Sequence, residues 1–122
     1  ESVQTPADAS MLKGCVNGFN LKLQKSGGLH PTLRLIQMAH SMGLGLMAGC
    51  MLESPVGIAA MASLVSAAGG FSAVDLDPLE LITENPVEGG AQLSGCTLTP
   101  PVSPGLGIHS IHGVQALREF TP

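Results

Sequence analysis

The sequence predicts an α/β fold in which parallel strands alternate with helices. Three apolar, strand-like segments begin near residues 18, 44 and 72, and helix-forming segments lie between them. This spacing of about 27 residues is typical of βα units, whose strands run parallel through right-handed crossovers. The pattern changes after residue 77, because residues 78–104 carry five prolines and several glycines. That segment predicts an irregular appendage with a short hairpin around residues 92–98.

The limits of the elements follow from local start and stop signals. Thr5-Pro6 and Ser54-Pro55 each combine an N-cap residue with a proline at the first helical position. Glycines mark the ends of the helices. The predicted helices cover about residues 6–13, 31–42 and 55–68, and the predicted strands cover about residues 18–23, 44–48 and 72–76.

A lysine lies in the first predicted strand. Side chains alternate along a strand, so Phe19, Leu21 and Leu23 share one face and Asn20, Lys22 and Gln24 share the other. Strands of βα units are normally covered on both faces, so the presence of a charged lysine in such a strand has to be explained. The strand alone leaves two interpretations open: Lys22 is a solvent-exposed lysine at a strand end, or it is a general acid or base.

Further polar groups follow the next two strands. The carboxyl ends of parallel strands meet at one edge, where barrel enzymes place their sites. Glu53 follows the second strand, and Asp75 and Asp77 end the third. The two aspartates are two residues apart and face the same side, so they repel each other unless one is protonated or a cation, either a metal or a substrate ammonium group, lies between them. The alternative is an ordinary loop in which Asp77 caps the turn before Pro78.

Composition excludes several classes of function. The net charge of −4 argues against nucleic acid, which requires a basic surface. No uninterrupted apolar run is long enough for a membrane span. Three widely spaced cysteines, without zinc-site spacing, favour a reduced, cytoplasmic protein. Cys50 is the only cysteine near the proposed site, and packing is its preferred interpretation.

Four segments in this order resemble a known family. They are residues 20–28 (NLKLQKSGG), 49–54 (GCMLES), 75–77 (DLD) and 103–108 (SPGLGI), and Glu1-Ser2 precedes them. Together they resemble the enolase superfamily, in its muconate-lactonizing branch, and are most similar to dipeptide epimerases of the L-Ala-D/L-Glu type.

The resemblance implies a particular part of a larger protein. Residues 1–77 would be the C-terminal portion of a (β/α)7β TIM-like barrel, from the end of strand 5 through strand 8. Residues 78–122 would complete the barrel and return to a capping domain. The N-terminal remainder of the same enzyme would then be the partner of this chain. Formation of a homo-oligomer is a further possibility.

The resemblance also implies a reaction and the residues that perform it. Lys22 would transfer the α-proton of a dipeptide through a Mg²⁺-stabilised enediolate. Asp75 and Asp77 would hold the substrate ammonium group, and Leu52 and Glu53 would contact the substrate. The Mg²⁺ ligands and a second lysine are expected before Glu1, so the chain itself would supply no metal ligand.

Alternative functions remain at this point. Within the superfamily they are a cycloisomerase and an N-acylamino acid racemase/o-succinylbenzoate synthase. Outside it, a small non-catalytic α/β binding module would explain the short chain. Such a module would not explain an inward-facing lysine near an aspartate pair.

Overall fold

A computed structural model describes residues 2–115, so Glu1 of the Glu1-Ser2 segment and residues 116–122 lie outside it. The helices are α1 (Pro6–Met11), α2 (Leu23–Ser26), α3 (Leu29–Met42) and α4 (Pro55–Ala68), with a 3₁₀ turn at Pro78–Glu80. The strands are β1 (Gly18–Leu21), β2 (Gly45–Ala48), β3 (Ala73–Val74), β4 (Val87–Gly89), β5 (Gln92–Ser94), β6 (Thr97–Thr99) and β7 (Ile108–Ile111).

The three predicted parallel strands are confirmed. Strands β1, β2 and β3 form one sheet in that order, and both pairings are parallel. Leu21 pairs with Ala48, which pairs in turn with Val74. The carboxyl ends of all three strands therefore lie side by side at one edge of the sheet.

One face of this sheet is packed against helices. Helix α3 contacts β1, β2, α1 and α4. On this face Phe19 and Leu21 are buried, whereas Asn20 on the opposite face is exposed, as the alternation predicts. The core between the sheet and the helices includes Leu21, Leu35, Ile36, Leu46, Ile58 and Met61. None of the described helices is both long and apolar enough to cross a membrane.

The first strand is shorter than predicted, because the chain turns at Lys22. The strand ends at Leu21, and Lys22 becomes the N-cap of α2 with an extended backbone (φ −129°, ψ 126°). Its carbonyl accepts hydrogen bonds from the N–H groups of Lys25 and Ser26, each at 3.0 Å. Gly27 (φ 87°) then ends α2 in a left-handed conformation that favours glycine. Lys22 thus lies at the carboxyl edge of the sheet, one residue beyond β1.

The third strand is also short, but its hydrogen bonds extend beyond it. Strand β3 has only two residues, whereas residues 72–76 were predicted. The N–H of Ser72 donates to the Leu46 carbonyl, and the N–H of Asp75 donates to the Ala48 carbonyl, both at 2.8 Å. These bonds fix the chain on both sides of β3 and hold Asp75 at the strand end.

The helix starts agree with their sequence signals. The Thr5 hydroxyl accepts from the Asp8 N–H, and the Asp8 carboxylate accepts from the Thr5 N–H at 2.8 Å, which forms a capping box. Ser54 caps α4 by accepting from the N–H of Gly57. Helix α3 begins two residues before Pro31, because a first helical turn tolerates proline.

The described part of the appendage contains antiparallel pairs. Strands β5 and β6 form the hairpin predicted around residues 92–98. Strand β4 pairs with β7, although about 20 residues of sequence separate them, and this pairing was not predicted. No further parallel strand follows β3 within the described residues.

Candidate active site

The residues predicted to carry chemistry lie at the carboxyl edge of the parallel sheet. Lys22 follows β1, residues 50–53 follow β2, and Asp75 and Asp77 follow β3. The parallel register places these three segments next to each other in that order. The structure therefore brings an ammonium group and three carboxylates to one edge.

Lys22 contacts a neutral side chain there. Lys22 is half-buried, and its Nζ lies 3.8 Å from the Sδ atom of Met51. Within residues 2–115, no carboxylate oxygen lies within ion-pair distance of this Nζ. A thioether is a weak acceptor and carries no charge. Among the described residues, Lys22 is therefore not held in a salt bridge.

Glu53 is turned back onto its own loop. Its Oε1 atom accepts a hydrogen bond from the Met51 N–H at 3.3 Å. Burial raises the pKa of the Glu53 carboxyl, and the Met51 N–H and the positive charge of Lys22 only partly offset this effect. The carboxylate is therefore partly desolvated and lies within electrostatic range of Lys22.

Asp75 and Asp77 are both exposed, and Leu76 between them is buried. Exposed and buried side chains alternate at residues 75–77, although both residues of β3 itself are exposed. Both aspartates line a cavity of about 610 Å³ between α4, β3 and the β5–β6 hairpin, and Lys22 is not among the residues that line it. The Asp77 side chain does not cap the following 3₁₀ turn, which was the alternative role for it. The two carboxylates are thus accessible to a ligand.

Cys50 connects the ends of β2 and β3, which the sequence did not reveal. Its Sγ lies 3.3 Å from the Asp75 carbonyl oxygen and 4.0 Å from Oδ1 of Asp77. Burial raises the pKa of the Cys50 thiol, a backbone hydrogen bond with Asp77 partly lowers it, and the nearby carboxylates raise it further. The only signal in the sequence was its position directly after the second strand.

The raised pKa of Cys50 gives a test of this geometry that needs no catalysis. A raised pKa leaves less thiolate at neutral pH, and the thiolate is the nucleophile. In the complete protein, iodoacetamide should therefore modify Cys50 more slowly than the exposed Cys15 and Cys96. Combining Asp75→Asn with Asp77→Asn should accelerate modification of Cys50 alone, measured by peptide mass spectrometry. Equal rates at all three thiols would contradict this arrangement.

Leu52 is 72% exposed at the same edge. It lies in the loop between β2 and α4, next to Met51 and Glu53. An apolar side chain presented to the mouth of a site is suited to contact the apolar part of a substrate.

The described residues do not fit a metal centre of their own. Among residues 2–115, no group of three or more His, Cys, Asp or Glu side chains could hold a metal ion. A magnesium site typically requires oxygen ligands in near-octahedral geometry. We therefore assign no step of the reaction to a metal held by this chain.

Comparison with known proteins agrees with this architecture. Residues 1–111 match the family described as enolase C-terminal domain-like. The chain belongs to that family. The resemblance inferred from the four sequence segments is therefore confirmed, and so is the α/β class, because this family has a TIM-barrel-type fold.

Relatives of this enolase-family chain are epimerases. The chain is 43% identical over 105 residues to a hydrophobic dipeptide epimerase of Flavobacteria bacterium (strain MS024-2A), covering 86% of this chain and 27% of that protein. It superposes with a TM-score of 0.85 on a substrate-liganded complex of the L-Ala-D/L-Glu epimerase from Bacillus subtilis, at 31% identity over 90% of this chain and 31% of that one.

A third comparison involves a metal complex. The dipeptide epimerase from Methylococcus capsulatus, solved with Mg and the dipeptide L-Arg-D-Lys, gives a TM-score of 0.82 at 37% identity, covering 88% of this chain and 31% of that one. The chain thus spans about a third or less of the length of each of these proteins.

Proposed function

We propose that the complete protein to which this chain belongs is a dipeptide epimerase, with Lys22 as one of its two proton-transferring groups. The observation that carries the proposal is the position of Lys22 and the Asp75/Asp77 pair at one edge of a parallel sheet. Similarity to several named dipeptide epimerases supports the same reaction class.

Lys22 acts at the α-carbon of the C-terminal residue of the dipeptide. Its neutral amine takes the α-proton, and the electrons of the C–H bond move into the adjacent carboxylate, which becomes an enediolate. A second base, outside this chain, returns a proton to the opposite face, so the configuration inverts. Lys22 ends protonated and the second base ends deprotonated, and the reverse reaction restores both.

Asp75 and Asp77 bind the free ammonium group of the dipeptide. Both carboxylates are exposed, and an ammonium group bound between them would relieve their mutual repulsion. Leu52 contacts the substrate side chain. The substrates of a cycloisomerase or an N-acylamino acid racemase offer no ammonium group at this place, so the aspartate pair favours a dipeptide.

The rest of the proposed enzyme lies outside this chain. We assign residues 1–77 to the barrel from the end of strand 5 through strand 8, and residues 78–122 to the segment that completes the barrel and the capping domain. The second base belongs to the N-terminal remainder. Magnesium dependence of the complete protein is supported by the magnesium complex of the Methylococcus capsulatus relative.

A substrate panel on the complete protein tests this function. We expect free dipeptides to be epimerised with a higher kcat/KM than N-acylated amino acids of matching side chain. Faster turnover of the N-acylated compounds would favour the N-acylamino acid racemase, and turnover of neither class would favour a binding module. Each dipeptide should be supplied as both epimers, so that approach to equilibrium is followed from both sides.

A further inference from the structure

The Glu53 carboxylate occupies a slot formed by its own loop and the first turn of α4. Oε1 accepts from the Met51 N–H, while Oε2 lies against Gly57, at the place that a Cβ of residue 57 would occupy. Gly57 is the third residue of α4, whose N-terminus favours a negative charge. The slot exists because residue 57 has no side chain.

Met51 connects this slot to Lys22. Its backbone N–H donates to Glu53, and its Sδ lies 3.8 Å from the Nζ of Lys22. A methionine side chain has three rotatable bonds and adapts easily, so a fixed backbone limits the region that its sulfur can reach. The hydrogen bond to Glu53 restrains the backbone of Met51, and the Lys22 ammonium lies beside the sulfur of its side chain.

We propose that Glu53 is a positioning residue for Lys22: its carboxylate, seated against Gly57, fixes Met51, and Met51 places the lysine ammonium. This inference rests on the proposed function, and it replaces the direct substrate contact that the sequence predicted for Glu53. Gly57 acquires a role as well, since it provides the space for the carboxylate. The desolvation that raises the pKa of Glu53 is consistent with a group enclosed by its loop.

Kinetics of single variants separate positioning from substrate contact. In the complete protein, Glu53→Ala and Gly57→Ala should each lower kcat about tenfold, since a misplacement of 1 Å can cost about 10²-fold. KM should stay within about twofold, because neither residue touches the dipeptide. Gly45→Ala is the matched control: the added methyl meets only the Asn17 carbonyl at 3.5 Å, and activity should be unchanged. A rise in KM with unchanged kcat would overturn the proposal.

Two further variants test the connection between the residues. Glu53→Gln keeps an oxygen acceptor for the Met51 N–H, so it should retain most of kcat and should fold normally. Glu53→Ala combined with Gly57→Ala should lose no more kcat than Glu53→Ala alone, because the new methyl then has no carboxylate to displace. Multiplicative losses in the double variant, or a glutamine variant as impaired as alanine, would overturn the proposal.

A spectroscopic readout distinguishes failure of this inference from failure of the proposed function. In protein labelled at the methionine methyls, the Met51 resonance, assigned with Met51→Leu, should shift in Lys22→Ala, Glu53→Ala and Gly57→Ala. If no dipeptide is turned over but these shifts occur, the proposed function fails and the contact network stands. If the Met51 resonance is unaffected by Glu53→Ala and Gly57→Ala, the inference fails whatever the activity.

Discussion

Replacing Lys22 by alanine should nearly abolish epimerisation by the complete protein. General acid–base catalysis contributes about 10²–10⁴-fold to a rate, and inversion requires it on both faces of the α-carbon. The variant removes the amine of half-buried Lys22, which lies beside the Met51 sulfur. The measurement is kcat for dipeptide epimerisation, and we expect a fall of at least about 10²-fold.

Lys25→Ala provides the matched control. Lys25 lies three residues further on in α2, so the variant removes the same charge from a different position. We expect activity close to that of the unmodified protein. An equal loss in both variants would indicate that α2 as a whole, rather than the Lys22 amine, is required.

Replacing Asp75 or Asp77 by asparagine should weaken recognition of the substrate ammonium group. A hydrogen bond to a charged group contributes about 1.5–3 kcal/mol, so kcat/KM should fall by about 10–10²-fold for each change. Most of the loss should be a rise in KM, with a lower kcat where positioning suffers. Both carboxylates are exposed in this chain, which is why we expect no larger effect.

Comparing substrates with and without a free amino group tests whether the aspartates bind the substrate ammonium group. Substrates without a free amino group should lose less from Asp75→Asn or Asp77→Asn than free dipeptides do. Glu84→Gln removes an exposed carboxylate elsewhere and should leave both substrate classes unaffected. Equal losses for both classes would contradict an ammonium-binding role and would point to a general effect on the site.

Much of the fold was predictable, because its signals are local. The caps at Thr5 and Ser54 and the alternation of Phe19 to Leu21 each depend on a few neighbouring residues. The early end of β1 was not predictable, since it depends on two backbone hydrogen bonds to the Lys22 carbonyl. The pairing of β4 with β7 was also missed, because it joins short segments that are distant in sequence.

In the candidate site too, some features were predictable from the sequence and others were not. The positions of Lys22 and Asp75 follow from counting along strands, and the structure places both at the expected edge. The contacts between segments could not be derived this way. The approaches of Met51 to Lys22 and of Cys50 to Asp75 span 29 and 25 residues, and both depend on the register of neighbouring strands. Register depends on how the apolar faces of neighbouring strands pack together, which counting along a single strand does not give.

The most direct test of the central role of Lys22 follows the α-proton itself. The complete protein and its Lys22→Ala variant are each incubated in D₂O with the two epimers of one dipeptide, and proton NMR records both loss of the α-proton signal and inversion. We predict exchange and inversion from both epimers with the unmodified protein. With Lys22→Ala, exchange should continue only from the epimer that faces the other base, without inversion. Inversion by Lys22→Ala at a rate near that of the unmodified protein would contradict the assignment of Lys22.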